Sequence, residues 1–125
     1  SYMVLEAMKA AENLEKEGID TEIIDLRSLK PLDESLMLAS VKKTGRLVVA
    51  DASWKTCGAA AEISAIVASD AFEYLKAPII RVTLPDVPAP ASCKLEKIFY
   101  PEMDDLISAV KKVLNIKYRR STNGL

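Results

Sequence analysis

Apolar and polar positions along the chain follow two rhythms, and the stretch from Thr21 to Ala52 carries both. Ile23, Ile24 and Leu26 form a short branched apolar run, the pattern of a strand covered on both faces. Pro31 stops the extended segment. Asp33 then stands where an N-cap belongs, and Leu36, Met37, Ser40 and Val41 carry the helix that it opens. Lys42 and Lys43 put positive charge in that helix's last turn, where it complements the dipole, and Gly45 ends it. Arg46 leads into a second apolar run, Leu47, Val48, Val49 and Ala50. Strand, helix, strand in this order predicts a parallel pair joined by a crossover, and so an α/β sheet.

The flanking segments extend the same reading. Ser1 can cap a helix whose apolar face is Val4, Ala7, Met8, Ala11 and Leu14, with Glu12 and Lys16 paired on the polar side and Gly18 at its end. A helix that links parallel strands follows a strand, so a further strand is expected upstream of Ser1, within a longer protein. After the second strand, a loop from Asp51 to Cys57 leads to a helix starting near Gly58, with Ile63, Ile66 and Val67 facing inward. Its small residues suit a tight connection and close helix packing rather than an anion site, because no full phosphate-loop pattern is present. A short helical patch over Asp70–Leu75 precedes a third strand. The three expected strands are roughly Thr21–Arg27, Arg46–Asp51 and Ile79–Thr83. Pro85, Pro88, Pro90 and Pro101 then hold one long connection extended over the surface. Pro101 and the acidic turn Glu102, Asp104 and Asp105 open a last helix with the stripe Met103, Leu106, Ile107, Val110 and Leu114. Residues 1–115 are thus expected to form one domain, a three-layer α/β/α arrangement on a mostly parallel sheet that lacks its upstream strand, and residues 116–125 a basic and polar tail.

Composition narrows the chemistry. The 125 residues suffice for a single core, and a net charge of -1 gives no global attraction for nucleic acid or anionic membrane. No apolar run approaches the roughly 20 residues of a membrane span. Cys57 and Cys93 are too few for a disulfide scaffold, and Cys57 is expected to be a buried, inert thiol. The chain has no histidine, which removes histidine-based nucleophile activation, histidine proton shuttles and most zinc sites. Neither catalytic, cofactor-binding nor metal-ligating residues are expected in it. Arg27 and Asp86, near strand ends, are expected to be structural.

The phrases IDLRSLKPLDES, SVKKTGRLVVAD, CGAAAEISAIV, AFEYLKAPIIRVTLPDVPAP, LEKIFYP and ISAVKKVLNI occur in order over nearly all of the chain. Together they resemble the C-terminal domain of the beta subunit of thiamine-dependent 2-oxoacid dehydrogenases, of pyruvate or branched-chain type, within the transketolase C-terminal domain family. The turn at Gly58 departs from that family's more glycine-rich pattern, with Ala59 and Ala61 at later positions. The resemblance implies part of an enzyme that decarboxylates a 2-oxoacid and passes the acyl group to a lipoyl carrier. It implies thiamine diphosphate and Mg in the full enzyme, none of it in this chain, which is not catalytic in isolation. It implies an assembly role, with the alpha subunit, a second beta subunit and the lipoyl acyltransferase core as partners, and a cytoplasmic or mitochondrial-matrix setting. Transketolase and deoxyxylulose-phosphate synthase share the domain type. A receiver-like signalling module, with Asp51 as phosphoacceptor, is a more distant alternative.

Two groups are candidate partner contacts. Ile98, Phe99 and Tyr100 form an apolar cluster expected to lie outside any helix or strand, and aromatic residues are enriched at interface centres. Arg119 and Arg120, with the lysines before them, form a candidate charged rim that would act on association rate.

Overall fold

The computed structural model of the chain describes residues 2–115. Helix α1 spans Tyr2–Lys16, α2 spans Glu34–Thr44, strand β1 spans Val48–Trp54 and α3 spans Ala59–Asp70. A 3₁₀ turn at Phe72–Tyr74 precedes β2, Ile80–Leu84, and helices α4, Cys93–Phe99, and α5, Met103–Asn115, close the described chain.

β1 and β2 pair in parallel, with Val48 opposite Ile80, Ala50 opposite Val82 and Asp51 opposite Thr83. The ladder starts where Ile80 N–H donates to the Leu47 carbonyl at 3.2 Å. Successive side chains of a strand point to opposite faces, and the two faces of this sheet serve two cores. Val49 joins Met37 and Val41 of α2, Ala60, Ile63 and Val67 of α3, and Ala71. Ala50 and Val82 face the other way, against Met3 and Ala10 of α1 and Leu106 of α5. The result is the expected α/β arrangement, helices on both faces of a parallel sheet.

Local signals account for most boundaries. The Asp33 side chain accepts a hydrogen bond from Leu36 N–H at 3.0 Å and so caps α2. Gly45 takes the left-handed conformation at φ 70 that closes the helix, its N–H donating to the Val41 carbonyl. At the start of α5, Asp105 accepts from Glu102 N–H at 2.9 Å.

Four expectations are corrected. Thr21–Arg27 is not a strand: it belongs to no ladder among the described residues. Leu26 packs beside the α2–α3 core, and Arg27 turns the chain at once with φ 51, so the segment has neither a partner in register nor an extended continuation. β1 runs to Trp54 instead of ending at Asp51, with a register irregularity between Asp51 and Trp54 that lets Lys55 N–H reach the Leu84 carbonyl at 3.2 Å. The proline-rich connection contains α4, because Pro101 bounds the helix-compatible run Cys93–Phe99 without interrupting it. In α1 the buried face is Met3, Glu6, Ala10 and Leu14, whereas Met8 is half exposed. That face is turned about one position from the expected one because Glu6 is drawn inward to α5.

Candidate functional site

Two regions have the chemistry of a site: the carboxyl edge of the sheet and the surface around α4. The first begins at Asp51. Its carboxylate accepts from the Ser53 hydroxyl and from Ala60 N–H, the latter at 3.2 Å, which places negative charge on a free backbone donor at the start of α3. Gly58 makes this turn possible. A Cβ there would stand 2.2 Å from the Trp54 carbonyl oxygen and 2.6 Å from Ser53 Oγ, so the turn is as tight as its small residues suggest. Cys57, just before it, is exposed rather than buried, with φ 59; the irregular end of β1 carries it past the sheet into solvent.

The loop after β1 is clasped from the other strand. Thr56 N–H donates to Asp86 Oδ1 at 3.0 Å, and the Thr56 hydroxyl donates to Asp86 Oδ2 at 2.6 Å. These two bonds, the hydroxyl first, hold the Asp86 carboxyl below the usual aspartate range. Arg81 adds a bond from its guanidinium to the Lys55 carbonyl at 2.9 Å. Asp86 thus ties the loop after β1 to the segment that follows β2. Arg27 stands apart: it is exposed and lies 3.4 Å from Asp25. Between the clasp and α3 lies an open cleft of about 430 Å³ lined by Ser53, Trp54, Thr56, Cys57, Gly58 and Leu84. The hydroxyls of Ser53 and Thr56 in its wall are engaged with Asp51 and Asp86, which suits a braced connection more than a reaction centre.

Around α4 the structure separates the apolar cluster. Ile98 is 83% exposed, Phe99 is 7% exposed and Tyr100 is half-buried. The Phe99 and Tyr100 rings meet edge to face, with centroids 5.2 Å apart at 89°. Ile98 and Phe99 lie in the last turn of α4, not outside an element, and consecutive helical positions point in different directions. Phe99 thus belongs to the interior, and Ile98 is the residue that faces outward. Arg119 and Arg120 lie outside the described residues.

One buried polar residue escaped the sequence reading. Glu6, 7% exposed, accepts from Lys9 Nζ at 2.7 Å and from Met103 N–H at 2.9 Å, so it joins α1 to the N-terminus of α5. The Lys9 bond leads the effects that hold its carboxyl below the usual range. A glutamate three residues before a lysine is an ordinary solvent pair in sequence, and its long-range partner is a backbone N–H that no side-chain pattern marks.

The profile of the "Transketolase, C-terminal domain" family matches residues 1–106. The chain belongs to that family. Full-length relatives narrow the resemblance. The chain is 49% identical over 117 residues to "Pyruvate dehydrogenase E1 component subunit beta" of Rickettsia bellii, covering 94% of this chain and 36% of the relative. It is 46% identical over 112 residues to the mitochondrial beta-1 subunit of the same name in Oryza sativa, covering 90% of this chain and 30% of the relative. The corresponding beta-1 subunit of Arabidopsis thaliana is 45% identical over 112 residues. The chain spans about a third of the length of these curated relatives. As a transketolase C-terminal domain it is not a receiver module, and its Asp51 carboxylate is engaged at the start of α3.

Proposed function

We propose that the chain is the C-terminal assembly domain of the beta subunit of a pyruvate-type 2-oxoacid dehydrogenase. The observation that carries the proposal is identity of 45–49% over about nine-tenths of the chain with subunits of that name. In the full enzyme, thiamine diphosphate and Mg support decarboxylation of the 2-oxoacid before acyl transfer to lipoyl, and both are held outside this chain. Its own contribution is contact with the alpha subunit, a second beta subunit and the lipoyl acyltransferase core. The setting is the cytoplasm or the mitochondrial matrix; the relatives include subunits of bacteria and subunits named as mitochondrial.

The geometry supports contact over chemistry. Glu6, Glu22 and Asp86 are each held in the charged form by bonds to Lys9, Lys43 and Thr56. A general acid at neutral pH needs the opposite shift. Ile98 offers the exposed apolar anchor on α4 and Tyr100 flanks it; by charge alone, Arg119 and Arg120 are assigned to the rate of association.

The test is a beta subunit from which this domain is removed, mixed with its alpha subunit and followed by native mass spectrometry. The expected result is loss of the mixed complex. A mixed complex of unchanged stoichiometry would overturn the assembly role.

A further inference from the structure

We draw no further inference here: the strongest candidate, the groove of about 340 Å³ beside β2 between α4 and α5, lined by Arg81, Thr83, Ile98 and Lys112 among others, is an unpartnered face and nothing in the structure shows what covers it.

Discussion

Gly58 and Asp86 show how single positions brace the carboxyl edge of the sheet. The distances at Gly58 leave no room for a side chain, and the obstructing atom at 2.2 Å is backbone, which cannot swing aside. Gly58→Ala is therefore expected to destabilise the domain by about 1–3 kcal/mol, the usual cost of forcing an extra methyl into a packed site. Urea unfolding of the two proteins measures it, and equal midpoints would remove the tight-turn account. Asp86 makes a pH-dependent contribution whose sign is fixed by its lowered carboxyl pKa. An unfolded aspartate titrates near 4. The clasp's stabilisation is therefore complete above that range and fades as pH falls through the lower folded value. Asp86→Asn should melt below the parent protein at neutral pH, with the gap closing in acid. A gap independent of pH would mean that the carboxylate charge plays no part. Cys57 and Gly58 also show where sequence reading stops. The small residues after Trp54 announce a tight turn, but the exposure of Cys57 depends on where β1 ends, and a bulge set by cross-strand pairing decides that.

At the level of elements, the signals that could be read were those contained within one helix. Asp33 and Gly45 bound α2 because capping needs only a side chain or a permissive backbone within a few residues. Asp33→Ala should cost about 1 kcal/mol, the typical value for losing such a cap. Thermal unfolding checks it, and an unchanged midpoint would show that Leu36 N–H finds another partner. Thr21–Arg27 fails for the converse reason. Ile23, Ile24 and Leu26 are strand-like side chains, but a strand exists only through a neighbour in register, and propensity cannot supply one. The α1 face differs from its expected one for a related cause. Glu6 looks like a solvent residue until α5 brings Met103 N–H to it, and burying Glu6 leaves Leu5 60% exposed on the outer side. Four prolines make the sequence around α4 resemble a continuous extended connection, although Pro90 and Pro101 leave a ten-residue gap between them in which one short helix fits.

For the molecule as a whole, the α/β class agrees with the sequence reading, but the strand–helix–strand unit expected over Thr21–Ala52 does not form, and the parallel pair is β1 with β2, on either side of α3. The number of paired strands does not follow from the order of apolar runs, because pairing is a property of the assembled sheet. Two cores meet the sheet from opposite sides, and no buried side-chain nitrogen or oxygen among the described residues lacks a partner. A body braced in this way suits the proposed assembly role, and in α4 Phe99 is buried while Ile98 faces outward. Phe99→Ala removes a buried ring and should cost about 3–5 kcal/mol of stability. Ile98→Ala, at an exposed position, should change stability by no more than about 0.5 kcal/mol. The most direct test of the assembly role is the equilibrium between the full beta subunit carrying Ile98→Ala and its alpha subunit, measured by analytical ultracentrifugation. The account predicts weaker association by about 1 kcal/mol or more, the scale of a contact that matters, with the melting temperature unchanged. Association equal to that of the unaltered subunit, from protein that melts normally, would contradict it.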